Sequence, residues 1–324
     1  MVMAQSLFLT LKQTHPSCRI DVLAPDWSFS LLARMPEVSN KITMPVKHGE
    51  FGLLARWRLG RLLRAQRYDQ AIILPNSWKS ALAPFFAGIK IRTGYIGESR
   101  WGLLNDARKL DKTLLSMTVQ RFVALGLPQT SPNPPAYPIP ALLVGTPQQH
   151  AVSQKFDVDR TTKILALCPG AEFGTAKRWP IDHYADIALQ KLTQGWQVWL
   201  FGSEKDQAIA AQINLACNNR CTDFSGRTNL AEAVDLMSLA HTVISNDSGL
   251  MHVAAALDKN LIALFGSSDP NFTPPLNSKA KILHLNLTCS PCFQRECPLY
   301  PPAHEAHAIC LAGIKPEEVI ELIE

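Results

Sequence analysis

Three segments of this 324-residue chain carry the residue types that a diphosphate-bearing ligand needs. The first, "PGAEFGTAKRWP" (Pro169 to Pro180), combines glycines and small residues, which let backbone approach a ligand, with the cations Lys177 and Arg178. A helix expected to start near Ile181 would turn its unbonded N–H groups towards the same place, and helix N-termini attract anions through those donors and the macrodipole. The second, "SNDSGLMHVAAAL" (Ser245 to Leu257), reads as a strand end followed by a helix capped by Asp247 or Ser248. Gly249 is small enough for close approach there, and His252 follows one turn on. The third, "FGSEKD" (Phe201 to Asp206), offers Glu204 or Asp206 as acceptor for a ribose hydroxyl. Each segment alone is also what an ordinary strand–helix connection looks like, with a surface lysine or a capping aspartate. Together, a cation, a helix start and a carboxylate on strand-end loops describe a nucleotide-diphosphate site. There is neither a Walker loop nor a G-x-G-x-x-G, so a nicotinamide-dependent oxidoreductase of the same fold class lacks its fingerprint.

A separate constellation is "CSPCFQRECPLYPPAHEAHAIC", with Cys289, Cys292, Cys297 and Cys310 spaced C-x2-C-x4-C-x12-C and His304 and His307 nearby. Four thiols in a short loop suit a tetrahedral zinc site, although the spacing is not that of a common finger. Reduced or partly disulfide-bonded cysteines are the competing reading. The absence of a basic, apolar leader points to the cytoplasm, where thiols stay reduced.

The elements that must position these residues follow from periodicity. Short apolar runs alternate with helical patterns in both halves, as expected for doubly wound α/β domains with parallel sheets covered on both faces. In the first half "RIDVLAP", "NKITMPV" and "YDQAIILPN" read as strands, and "SFSLLARM", "FGLLARWRLGRLLRAQ" and "WKSALAPFFAG" as helices. In the second, "TKILALCPG", "WQVWLFGS", "HTVISND" and "NLIALFG" read as strands separated by helices. The proline cluster over 127–148 breaks the rhythm and reads as a linker, dividing the chain into domains at 1–140 and 141–324. A cleft outside the carboxyl ends of the strands is the expected ligand site.

Bulk composition fits a globular chain: 47% hydrophobic and 18% charged residues, with no run near the roughly 18 apolar residues of a membrane span. The net charge of +5 conceals an asymmetry. Residues 1–150 hold 18 Lys and Arg against 8 Asp and Glu, and the remainder 14 against 19. A basic first half favours an anionic partner there, with a solvated basic face as the plain alternative. The arginines of "RWRLGRLLRAQR" spread around much of their helix, so most of them read as solvated, with one or two left to reach a ligand or a membrane surface.

The three second-half segments "PGAEFGTAKRWP", "VISNDSGLMHVAAAL" and "FGSSDPNFTPPL", with "LPNSWKSALAPFFAGIKIRTGYIGESRWGLLND" in the first half, resemble the ADP-heptose:lipopolysaccharide heptosyltransferases of glycosyltransferase family 9. The resemblance extends over nearly the whole chain. It implies a GT-B fold, two Rossmann-like domains facing across a cleft, with ADP-heptose on the C-terminal domain and the growing inner core on the N-terminal one. It also implies an inverting transfer that needs no metal or other cofactor, so that any zinc would be structural. On this sequence it implies that Lys177 neutralises the departing diphosphate, that Asp247, Ser248 and Gly249 hold phosphates and sugar, and that Thr228 lies beside the adenine. Glu204 or Asp206 would meet the ribose, and Glu172 and His252 complete the nucleotide-sugar set, with Lys177 and Asp247 as the catalytic pair. The acceptor would be an anionic Kdo-lipid A bearing heptose, met by Lys79, Arg92 and Arg100, with peripheral contact to the inner face of the inner membrane and no nucleic-acid partner. A catalytically impaired homologue that binds nucleotide sugar or glycolipid without turnover is the competing reading.

In the family, the segment before "MAQSLF" is a strand and a glycine-containing loop ending in an aspartate, the proposed general base. Here Met1 stands at about the following residue. Either translation starts upstream, or the chain lacks both strand and base, and no residue of the chain is assigned as base in its place. In a sheet of order 3-2-1-4-5-6 the first strand is central, so its loss would leave neighbouring strands unpaired.

Overall fold

The computed structural model describes residues 1–46, 49–301, 304 and 306–323. The chain forms two compact units that divide between Pro138 and Ile139.

The first unit contains helices α1 (Gln5–Thr14), α2 (Phe29–Leu32), α3 (Leu53–Arg64), α4 (Leu82–Phe86) and α5 (Thr118–Gly126). Its strands are β1 (Asp21–Ala24), β2 (Asn40–Thr43), β3 (Gln70–Ile73), β4 (Ile91–Tyr95) and β5 (Asp106–Arg108). All pairings are parallel, as alternating strands and helices require, but the strands form two sheets, β1-β2 and β3-β4-β5. Among the described residues β1 and β3 therefore each keep one edge without a strand neighbour. The first helix buries the polar Gln5 and Ser6 along with Leu7 and Phe8. The polar pair is tolerated because each is bonded: Gln5 Nε2 donates to Glu37 at 3.1 Å and Ser6 Oγ to the Pro138 carbonyl at 2.7 Å. α1 lies against α5 where Gly126 has no side chain; a Cβ there would stand 2.4 Å from Leu7.

The second unit contains α6 (Thr146–Phe156), α7 (Ile181–Thr193), α8 (Gln207–Ala216), α9 (Leu230–Met237), α10 (Gly249–Ala256), α11 (Ile309–Ala312) and α12 (Pro316–Ile320). Its strands β6 (Ile164–Cys168), β7 (Gln197–Leu200), β8 (Thr222–Asp223), β9 (Thr242–Asn246), β10 (Asn260–Leu264) and β11 (Lys281–Leu283) form one parallel sheet of order β11-β10-β9-β6-β7-β8. β6 and β9 are buried at every residue, which is why they appear in the sequence as uninterrupted runs. Leu165, Leu167, Ile187, Val198, Ile244 and Ile262 form the core between sheet and helices. α6 starts inside the stretch expected to be linker, with Pro147 in its first turn, where a missing N–H costs nothing.

The strand order decides where a ligand goes. From β6 the chain runs outward through β7 and β8, then returns to β6's other side for β9 and continues to β10 and β11. The direction reverses between β6 and β9, and the crevice outside their carboxyl ends is the binding position of open α/β sheets.

Candidate functional site

The loops that leave β6 and β9 meet at this reversal. Lys177 lies in a short 3-10 turn, Thr175–Lys177, and its Nζ donates to Asp247 Oδ2 at 2.5 Å. Asp247 directly follows β9; its side chain is 8% exposed, against 17% for Lys177, so the charges are largely withdrawn from water but paired. A buried carboxylate without that partner would be strongly unfavourable. Lys177 also stands 5.0 Å from the centre of the Phe173 ring.

Ser248, not Asp247, caps α10: its Oγ accepts from Met251 N at 3.4 Å and lies 3.2 Å from Ser245 Oγ. The helix begins at Gly249, where a Cβ would meet nothing within 4 Å. The space beside Gly249 is therefore open, at the end of the helix whose first-turn N–H groups suit an anion. His252 sits one turn into α10, and burial, opposed by Asp247, pushes its pKa down to about 4. It is neutral at pH 7.

One residue that residue-type reasoning passed over holds the loop after β6 in place. Asn246, fully buried at the end of β9, donates through Nδ2 to the Pro169 carbonyl at 2.7 Å. Its Oδ1 accepts from Trp179 N at 3.2 Å and from Tyr184 Oη at 3.1 Å. It thus clasps both ends of the segment that carries Lys177. The motif contained it, but nothing local marks its partners.

The loop after β7 approaches the loop after β6 from the other side. Asp206 accepts from Ser203 N at 2.9 Å and Ser203 Oγ at 2.7 Å, closing a 3-10 turn, and its carboxylate lies where a Cβ on Gly170 would stand 2.4 Å from Cγ. Its role in the structure is to pack these two loops together, while the neighbouring Glu204 is exposed. Glu172 pairs at 2.5 Å with Lys205, both exposed, a contact of little energetic weight in water. Thr228, after β8, bonds the Phe224 carbonyl at 3.4 Å and lies two strands from the reversal.

The Cys-rich segment forms a wall of the same site. Phe293 N donates to the Ser267 carbonyl at 2.7 Å, and Ala176 N, next to Lys177, donates to the Arg295 carbonyl at 3.0 Å. Contact at Gly174 is so close that a Cβ would fall 2.2 Å from the Arg295 carbonyl oxygen, and the Arg295 guanidinium lies 5.5 Å from the Phe173 ring centre. All eight cysteines are free thiols. Burial, reinforced by the thiols of Cys292, Cys289 and Cys297, pushes Cys310 up to about 11. Burial would also raise Cys297, but N–H groups of Ala308, Leu299 and Tyr300 turned towards its sulfur outweigh this and hold it below the ordinary thiol value. Among the described residues, no group of three or more His, Cys, Asp or Glu is arranged to hold a metal ion.

In the first unit, two of the three expected acceptor residues bind the protein's own backbone. Arg92 donates to the carbonyls of Leu103 and Ile89 at 2.7 and 2.6 Å. Arg100 is 2% exposed and donates to the Pro75 carbonyl at 2.7 Å and to the Tyr95 carbonyl, tying three loops at the carboxyl end of β3 and β4. Lys79 is the freer cation, 3.5 Å from the Glu50 carbonyl.

Fold and site together define an α/β protein of parallel sheets, with a cation, a carboxylate and an open helix start gathered at the strand-order reversal of its second unit. The profile of glycosyltransferase family 9 (heptosyltransferase) matches residues 56–302, and the chain belongs to this family. It is 48% identical over 294 residues to lipopolysaccharide heptosyltransferase 2 of Salmonella typhimurium, covering 88% of this chain and 84% of that one. It is 49% identical over 296 residues to lipooligosaccharide heptosyltransferase 2 of Haemophilus influenzae, covering 88% and 85%. Among solved structures, Escherichia coli ADP-heptose lps heptosyltransferase II superposes with a TM-score of 0.86 at 41% identity, covering 99% of this chain and 93% of that one. The E. coli heptosyltransferase WaaC with ADP-2-deoxy-2-fluoro heptose superposes with a TM-score of 0.70 at 17% identity, covering 99% and 94%, a likeness of fold. The fold class is thus GT-B, and the chain is a glycosyltransferase.

Proposed function

We propose that this chain transfers L-glycero-D-manno-heptose from ADP-heptose to the heptose of the lipopolysaccharide inner core, at the inner face of the inner membrane. The observation that carries the reading is the Lys177–Asp247 pair at the β6/β9 reversal, beside the open start of α10. It is supported by relatives of nearly the same length named lipopolysaccharide or lipooligosaccharide heptosyltransferase 2. In the reaction an acceptor hydroxyl attacks C1 of the heptose and gives up its proton to solvent, the C1–O bond to ADP breaks with inversion, and its electron pair passes to the β-phosphate oxygen. Fixed positive charge at that oxygen lowers the barrier most when it is already in place, and Lys177 with the α10 N–H groups supplies it. Asp247, freed from Lys177 by the diphosphate, faces the sugar. Ser248 keeps the helix start ordered, and neutral His252 borders it. The ribose and adenine extend over the loops after β7 and β8, past Glu172, Glu204, Asp206 and Thr228. The glycolipid is taken by the basic first unit, where Lys79 meets it and Arg92 and Arg100 hold the loops that do so. No step uses a metal; a zinc ion on Cys289, Cys292, Cys297 and Cys310 would be structural. Metal analysis of the purified chain checks this, with any bound metal lost on Cys292→Ser and Cys297→Ser.

Incubation with ADP-heptose and a heptose-bearing inner-core acceptor tests the reaction. The expected result is ADP release matched by heptosylated product. ADP-heptose binding without transfer would replace the proposal with an impaired homologue, and failure to bind any adenine nucleotide would overturn both.

A further inference from the structure

Helix α3 has an outer face unlike that of an ordinary solvated helix. Arg56, Leu59, Gly60 and Leu63 are buried, and Gly60 brings the helix so close to α4 that a Cβ would stand 2.5 Å from Phe86. On the opposite side lie Leu54, 56% exposed, Trp57, 43%, and Leu62, 72%, interleaved with Arg58 and Arg61. These positions fall on one stripe at helical spacing. The apolar surface continues past the helix start through Leu53 to Phe51 and Trp78, whose exposed rings pack 5.0 Å apart. Along α3 the charge has one sign, since residues 51–68 contain no Asp or Glu and, besides the buried Arg56, four arginines; at the Trp78 end the exposed Glu98 accepts from Trp78 N at 3.2 Å. None of the ion pairs among the described residues engages Arg58, Arg61 or Arg64; Arg61 instead lies 5.7 Å from the Trp57 ring centre.

We infer that the outer face of α3, with the Phe51–Trp78 pair at its end, is an interfacial docking surface for an anionic phospholipid bilayer. A protein partner of equal apolar content would leave the arginines to be paired one by one. A bilayer surface takes both features at once, with tryptophan and leucine at the headgroup level and arginines reaching phosphates along their apolar stems. The helix is also braced from behind by α4, so the face is presented without ordering cost. The inference deepens the proposed reaction, and rests on its lipid-borne acceptor for the choice of a bilayer as occupant.

Cosedimentation of the full chain with vesicles tests it. The chain is expected to bind phosphatidylglycerol-containing vesicles, to bind phosphatidylcholine vesicles much more weakly, and to dissociate as salt is raised. Arg58→Gln with Arg61→Gln should weaken binding by roughly tenfold or more, since each basic residue near an anionic surface contributes several-fold. Leu54→Ser, Trp57→Ser and Leu62→Ser together should weaken binding to a similar degree by removing the apolar contact. ADP affinity, measured by calorimetry on the same variants, should stay at the parent value, showing that the fold is intact and separating this inference from the proposed chemistry. Absence of binding to anionic vesicles by the parent chain, or equal binding by the triple serine variant, overturns it. So does a self-associated form that the serine variant breaks up without any change in vesicle binding.

Discussion

Replacing Asn246 with alanine should damage the second unit's stability and its nucleotide affinity together. The substitution removes the acceptor for Trp179 N at 3.2 Å and Tyr184 Oη at 3.1 Å, and the donor to the Pro169 carbonyl at 2.7 Å. All of these groups are buried, so water does not replace the lost partner. A buried polar group left unmatched costs about 1–3 kcal/mol. Tyr184 keeps one weak alternative, the Cys168 carbonyl at 3.4 Å, so two groups are left unmatched and the total is about 2–6 kcal/mol. Because Trp179 lies two residues beyond Lys177, the released loop also lets that ammonium wander, and ADP affinity should fall by about an order of magnitude, or 1.4 kcal/mol. Urea unfolding followed by far-UV circular dichroism gives the first quantity and titration calorimetry with ADP the second. A variant within about 0.5 kcal/mol of the parent, the range of an unremarkable surface substitution, and with unchanged ADP affinity, would refute the view that Asn246 clasps the loop.

Gly249→Ala should leave the fold unharmed, since its Cβ meets nothing and alanine is the better helix former, yet weaken ADP binding; calorimetry showing parent-like affinity would place the ligand elsewhere. Lys177→Met should lower kcat by roughly a hundredfold or more through lost charge at the departing diphosphate, with stability also reduced because Asp247 is left unpaired; both are read from steady-state kinetics and denaturation. Burial would raise the Asp21 carboxyl, but hydrogen bonds from Arg19, Tyr68 and Asn40 outweigh it and hold it below the usual carboxylate range. A depressed folded-state pKa contributes stability that is present above the unfolded value, about 3.9, and lost as pH falls through the folded one. Asp21→Asn should therefore destabilise at pH 7 and flatten the acid limb of stability, which thermal melts from pH 7 down to the acid range would show.

The buried strands of the second unit were legible because a strand covered on both faces reads as an apolar run, as "ILALC" and "NLIAL" do. β8, with two residues, and β11, with three, offer no period to detect, and α6 was hidden by the proline that starts it. The candidate site divides the same way. Lys177, Asp247, Ser248 and Gly249 could be placed from loop chemistry at strand ends. Asn246 could not be assigned its role, because its partners lie 62 to 77 residues away in sequence. Arg92 and Arg100 show the opposite limit: an arginine aimed at a ligand and one that ties off carbonyls look identical until the fold shows which acceptors lie nearby. Arg295 belongs to a segment whose cysteines drew attention away from its backbone, which is the part that touches the site.

The 2.5 Å contact between Lys177 and Asp247 also bears on how fast the site can be vacated. On the proposed reaction, a diphosphate entering between them would exchange one anion for another at the same ammonium, so binding would gain the difference between two ion pairs and not the whole of one. The carboxylate would hold the place of the phosphate between turnovers. On departure of ADP the lysine would have a partner waiting, and release of the spent nucleotide would not be opposed by the exposure of a bare buried charge. A pair that readied the site in this way would also cap product affinity.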